Sequence, residues 1–276
     1  MNDVGKKRRR KEAFLHENPF CCFCGGLNRA TTVDHVPSRQ MFSLRRRPKG
    51  LEVPACKSCN QAIKRHEQVA AMLGRIFPDG ATVEEREEMK KIMSAVARYS
   101  PGVLEEMKPS RSQQERGGIK LERLPGAAGV LNCSGPLLNE SIQKFGGKLG
   151  LALHYETTNR IVPIDGGVAV RWYSNYDAVT DGLPKELFRY LGPERTLQQG
   201  SWNVHDQFGY AYAVSENSFS AGYFATFRIS FAVLCWVNEN VANFGDVDPI
   251  HKPGMFTLTK HESAPYVRAT GQREEC

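Results

Sequence analysis

Hydrophobic positions along the chain change their period several times, and each change predicts an element. Thr31-Thr32-Val33 alternates as a short strand that delivers Asp34 and His35 before Pro37 ends regular pairing. From Cys59 the run Asn60-Gln61-Ala62-Ile63 continues into Val69-Ala70-Ala71-Met72-Leu73 with helical spacing. A second helix is predicted behind Thr82-x-x-Glu85, a capping-box pattern, with Met89, Ile92, Met93 and Val96 on one apolar face. Leu137 to Leu153 reads as a helix, residues 160–173 as a hairpin turning at Asp165-Gly166-Gly167, and Lys185 to Tyr190 as a short helix. Phe208 to Val214 and Tyr223 to Val237 fit two long strands connected through Ser215 to Ser220. On the second of these, Tyr223, Ala225, Phe227, Ile229, Phe231 and Val233 would share a face.

Together these elements predict an α+β protein. Residues 1–18 read as a flexible basic arm, helical at most over Lys11 to His16, and residues 19–75 as a module ordered strand, long loop, strand, helix. Residues 76–127 form a helical connector whose end, 110–127, is a polar stretch punctuated by Gly and Pro. Residues 128–276 are expected to fold as a mixed α/β C-terminal domain with antiparallel strands.

Charge changes the picture because it is unevenly placed. The formal net charge is +7, yet residues 1–66 hold 15 Lys and Arg against 5 Asp and Glu, and the other 210 residues are mildly acidic. The two densest runs are Lys6-Lys7-Arg8-Arg9-Arg10-Lys11 and Arg45-Arg46-Arg47-Pro48-Lys49, a pattern suited to a phosphate backbone. No apolar segment follows the first run, and Ile229 to Val237 is too short for a membrane span, so a cytoplasmic protein without membrane contact is expected.

Eight cysteines in such a chain argue for metal binding over a disulfide framework. Cys21-x2-Cys24 and Cys56-x2-Cys59 can supply four thiolates to one structural zinc ion, which would staple a segment too small for a core of its own. Cys22, Cys133, Cys235 and Cys276 lie outside the two knuckles and read as incidental thiols. A closed four-thiolate shell leaves zinc no position for water, so any hydrolytic chemistry must come from elsewhere.

Three side chains inside the staple suit that chemistry. Asp34 offers a hard oxygen and Asn60 a neutral one, enough to seat Mg²⁺ or Mn²⁺ with positions left for phosphate and water. His35 points to the opposite side of an extended chain, where it is free to act as general base. Lys64 and Glu67 follow on the helical face of Asn60; they could clamp phosphate and complete a metal shell, or simply face solvent, while His66 is rotated away. His16, His154, His205, His251 and His261 stand in no ligand or triad spacing.

The strings CCFCGG, TVDHVPSR and VPACKSCNQ resemble the HNH (ββα-metal) endonucleases, in particular the subgroup with a four-cysteine zinc site and an Asp-His pair. The resemblance covers about 50 residues. It implies an N-terminal ββα-metal module in which Cys21, Cys24, Cys56 and Cys59 hold zinc, Asp34 and Asn60 bind the catalytic ion and His35 is the base. Many members carry a second His where this chain has Asn60. The expected function is metal-dependent hydrolysis of phosphodiester bonds, with DNA the expected substrate, gripped by Lys7, Arg8, Arg9, Arg10, Arg45, Arg46, Arg47, Lys49 and Lys64. A homodimer would allow both strands to be cut. The competing expectation is a zinc-dependent module that binds nucleic acid without cleaving it.

Overall fold

The computed structural model describes residues 3–76, 82–112, 131–180, 183, 185–247 and 249–254. Among them the chain forms α1 (Asp3–Glu17), β1 (Thr32–His35), β2 (Glu52–Ala55), α2 (Lys57–Ala62), α3 (Lys64–Leu73), α4 (Val83–Tyr99), α5 (Val103–Glu106) and α6 (Pro136–Thr158). The C-terminal part adds β3 (Gly167–Ser174), short helices over Asn175–Thr180 and Lys185–Phe188, β4 (Gln198–Gln199), β5 (Trp202–Asn203), β6 (Gly209–Val214), β7 (Ser220–Phe227), β8 (Phe231–Asn238) and β9 (Ile250–His251). The result is a mixed α+β architecture with antiparallel sheets and four clustered cysteines near the N-terminus.

The main sheet runs β6-β7-β8-β3-β9, every neighbour antiparallel. Helix α6 packs across its inner face, and two glycines explain how closely. A Cβ on Gly146 would fall 2.5 Å from Val170 Cγ1, and one on Gly150 would fall 2.6 Å from Val168 Cγ1. Bare backbone on this side of the helix therefore lets it lie directly on β3 and β8. The opposite side of α6 faces α3 and the cysteine module. One continuous buried cluster thus runs from Cys21 and Phe23 through Met72, Leu149 and Phe231 to Val237.

Several expectations need correction. Residues 160–173 do not form a hairpin: only Gly167–Ser174 is a strand, paired with β8 on one side and β9 on the other. The segment before it is held against the first knuckle instead. Gly25, at φ +66, brings its Cα so near that a Cβ would lie 2.9 Å from the Ile164 nitrogen. The run from Tyr223 to Val237 is likewise two strands, folded back at Arg228-Ile229-Ser230, where Arg228 adopts φ 51. The pairs Phe227–Phe231, Ala225–Val233 and Tyr223–Cys235 lie opposite each other, so the turn preserves the alternation that imitated a single strand. Ile229 sits in the turn at 57% exposure and leaves the predicted face.

The N-terminal arm is a helix of 15 residues rather than a flexible tail. Thr82 and Glu85 form the predicted capping box, and Ile92 and Val96 are buried, but Met93 is 40% exposed. The expected helix from Leu137 extends over Pro136–Thr158. Cys276, His261, the Pro78-Asp79-Gly80 break and most of the 110–127 linker lie outside the described residues. No helix among the described residues is long and apolar enough to cross a membrane.

Candidate functional site

The module is built on two short strands. Antiparallel pairing sets Thr32 against Ala55, Asp34 against Val53 and His35 against Glu52. Pairing carries Cys56 to the N-cap of α2, and the first knuckle is tied to the same strand by Cys22 N–H donating to the Pro54 carbonyl at 3.0 Å. Local geometry then closes the cluster: the ligand atoms of Cys21, Cys24, Cys56 and Cys59 all lie within 4.8 Å of one another. A tetrahedral zinc–thiolate shell has sulfur edges of about 3.8 Å, so the four sulfurs can hold such a metal with a small inward movement.

Hydrogen-bond donors converge on three of the sulfurs. Phe23 N–H, Cys59 N–H and the Asn28 amide point at the sulfurs of Cys21, Cys56 and Cys24, at 3.4, 3.5 and 3.5 Å. The Cys59 thiol pulls Cys21 down to about 5 through their hydrogen bond, against the effect of burial, and Cys59 is pushed up in return. Cys22, between the ligands, is fully enclosed, and burial raises its thiol well above the ordinary value.

Strand β1 separates Asp34 from His35 as its pleat requires. Asp34 is turned inward, 9% exposed, and its Oδ1 accepts from the His35 N–H at 2.9 Å. His35 is half-buried, with Nδ1 3.9 Å from Glu52 Oε1, too far for a hydrogen bond. Desolvation holds its pKa below the usual histidine value, Arg47 adds to that, and Glu52 opposes it. The ring is therefore neutral at neutral pH, the state a proton acceptor needs.

Asn60 projects from α2 and donates to Thr32 Oγ1 at 3.1 Å. Thr32 and Asp34 are two residues apart on one strand face, about 7 Å along the pleat. Asn60 and Asp34 thus border the same side of β1, but they are not joined through a common hydrogen bond among those described.

The side chains that do meet Asp34 come from elsewhere. Lys148, near the middle of α6 and 2% exposed, places Nζ 2.7 Å from Asp34 Oδ2 and donates to Glu67 Oε1 at 2.8 Å. The Asp34 contact is a close ion pair outside hydrogen-bond alignment, since Oδ2 has no hydrogen-bond partner. The ammonium also lies 5.2 Å from the centroid of the Phe23 ring, in the first knuckle. Burial pulls the Lys148 pKa down, but Glu67 and Asp34 outweigh it and the net direction is upward. Glu67 is raised, chiefly by burial.

Sequence reasoning missed Lys148 and left Glu67 open as a solvent-facing residue; at 5% exposure Glu67 is buried instead. One signal was present. Ser141, Lys148 and Tyr155 recur at seven-residue intervals along the helix. They meet His66 at 3.2 Å, the two carboxylates, and the Asn18 side chain, so the stripe is the face that docks on the module.

The basic residues divide into two groups. Arg8, Arg9, Arg10, Arg45, Arg46, Lys49 and Lys64 are exposed, with Arg8 also paired to Glu12 and Arg10 to Glu52. Arg47 is a correction: its guanidinium donates to the carbonyls of Pro37, Pro48, Val36, Gly50 and Leu51, so it braces the loop instead of facing a ligand. The side chain of Lys7 lies outside the described residues. The loop carrying Arg45 and Arg46 is fixed from behind by Ser43 N–H to Gln207 Oε1 at 2.8 Å and Leu44 N–H to Glu88 Oε2 at 2.9 Å.

The fold and the site together define an α+β protein with a zinc-finger-like cluster of four cysteines close enough to bind a metal. Compared with known proteins, the chain matches no family model, no curated protein and no solved structure.

Proposed function

We propose that the chain is an HNH-type endonuclease whose N-terminal ββα-metal module cleaves phosphodiester bonds in nucleic acid, with DNA the favoured substrate. The observation that carries this reading is the pairing of β1 with β2. It holds a half-buried His35 on one side of a strand whose other side presents Asp34, beside a helix that carries two of the four clustered thiols. In the proposed step the imidazole takes a proton from water as the water oxygen bonds to phosphorus, the P–O3′ bond breaks, and the departing 3′ oxygen takes a proton from solvent. Arg9, Arg45, Arg46, Lys49 and Lys64 would contact backbone phosphates along the exposed basic surface.

Such a reaction is expected to use Mg²⁺ or Mn²⁺ at Asp34 and Asn60. As arranged, these residues do not fit that ion: Oδ2 of Asp34 is enclosed against Lys148 Nζ, and the Asn60 amide is turned to Thr32. That same contact favours a second reading, a zinc-dependent module that grips nucleic acid without cutting it. The test is incubation of zinc-loaded protein with plasmid, linear, branched and single-stranded DNA in several divalent ions. The nuclease reading expects cutting that His35→Ala abolishes with zinc content and DNA binding retained; equal cutting by His35→Ala contradicts it. Salt-sensitive binding with no cleavage under any ion supports the second reading.

A further inference from the structure

A buried carboxylate needs a compensating charge, and Asp34 has Glu67 as its neighbour, so two negative groups lie in one enclosed space. Lys148 supplies that charge. Lys148 Nζ lies 2.7 and 2.8 Å from the two carboxylates, and its stem is held by a helix that cannot withdraw without leaving the sheet. We infer that the resident cation of the Asp34–Glu67 pocket is the ammonium of Lys148, and that it excludes a divalent ion from that pocket for as long as α6 is docked.

Four observations carry the inference. The distances are those of close ammonium–carboxylate contacts, so a divalent ion would have to share the same oxygens with a positive charge within about 3 Å. Phe23, from the knuckle, lies against the ammonium and leaves the side chain 2% exposed. Ser141 and Tyr155 pin the same face of α6 one heptad to either side, through His66 and Asn18, so the lysine is part of a docking stripe and not a stray contact. Asp34 Oδ2 lacks an aligned hydrogen bond, which leaves it the oxygen that a divalent ion would take if the ammonium were gone.

The consequence for catalysis rests on the nuclease reading: the Asp34 site would accept its ion only when the C-terminal part releases Lys148. The metal competition itself does not depend on cleavage. Mn²⁺ binding to zinc-loaded full-length protein, followed by electron paramagnetic resonance, reads it directly. Wild type is expected to show no saturable Mn²⁺ site at the pocket. Lys148→Met, which keeps the length of the stem, should gain one saturable site that binds Mn²⁺ at least about tenfold more tightly than any residual binding by wild type, and adding Asp34→Asn should abolish it. Tight Mn²⁺ binding by wild type that Asp34→Asn removes would overturn the inference, as would a folded Lys148→Met that gains no site.

Should Lys148→Met fail to fold, the wild-type protein still decides the matter. In protein labelled with ¹⁵N at lysine, the enclosed Lys148 ammonium should give a slowly exchanging signal that persists when Mg²⁺ is added. Saturable loss of that signal with Mg²⁺ would overturn the inference. A protein that cleaves DNA through His35 while its Lys148 signal is displaced by Mg²⁺ would sink the inference and spare the nuclease; persistence of the signal with no cleavage would do the reverse.

Discussion

At the scale of single residues, the groups that decide this site are those whose charge state is fixed by their surroundings. His66 and His251 illustrate it outside the proposed chemistry. Burial, with Lys144 adding to it, pulls them down to about 3 and about 4. Both are then neutral in the folded protein, while in the unfolded chain they titrate near the ordinary value of roughly 6.5. The unfolded state takes up protons first, so stability is full above about pH 6.5 and is lost as pH falls toward the folded values. For His251 alone the loss is on the order of 3 kcal/mol. Urea midpoints should therefore drop between pH 7 and pH 4.5, and His251→Gln should flatten that slope; equal midpoints at both pH values would contradict the assignment. Arg47 makes a complementary point, because an arginine in a basic run was indistinguishable by sequence from its exposed neighbours Arg45 and Arg46. Only the five carbonyls around its guanidinium reveal that it is a brace.

At the scale of elements, α6 does two jobs with two faces. Its glycine face permits contact with β3 and β8, and its polar stripe reaches the module. Gly146→Val would push a branched side chain into Val170 and Val233, and is expected to cost about 1–3 kcal/mol; an unchanged melting temperature would show that the helix is not seated as described. The cap of α4 is separable from that packing. Thr82→Ala removes the acceptor for the Glu85 N–H and should cost about 1 kcal/mol without altering zinc content, measurable by denaturant unfolding. What could be read from sequence follows the reach of each interaction. The two knuckles and the capping box were legible because their partners are two or three residues apart. The hairpin at 160–173 was misread because β3 takes its partners from β8 and β9, far along the chain. The fold at Arg228 was invisible because a three-residue turn leaves the alternation of Phe227 and Phe231 in phase.

At the scale of the whole molecule, the cysteine module and the C-terminal sheet share one buried cluster, joined through α3 and α6. Asp34, Glu67 and Lys148 sit on that seam, and Lys148 was not legible as a site residue because its partners lie in a segment separated by, for Glu67, 81 positions. Shared burial predicts that loss of the metal spreads. Stripping zinc with a strong chelator should remove an apparent binding energy of roughly 10–16 kcal/mol and unfold the module. It should also lower the melting temperature of the C-terminal sheet, seen in the near-ultraviolet signal of its aromatic residues. An unaltered melting temperature there would mean that the two parts are held independently. Both functional readings require the four sulfurs to hold one metal ion. Elemental analysis of the purified full-length protein therefore tests that requirement most directly: one zinc per chain in the wild type, lost in Cys59→Ser, is the predicted result, and a wild-type protein that is folded with no bound metal would contradict it.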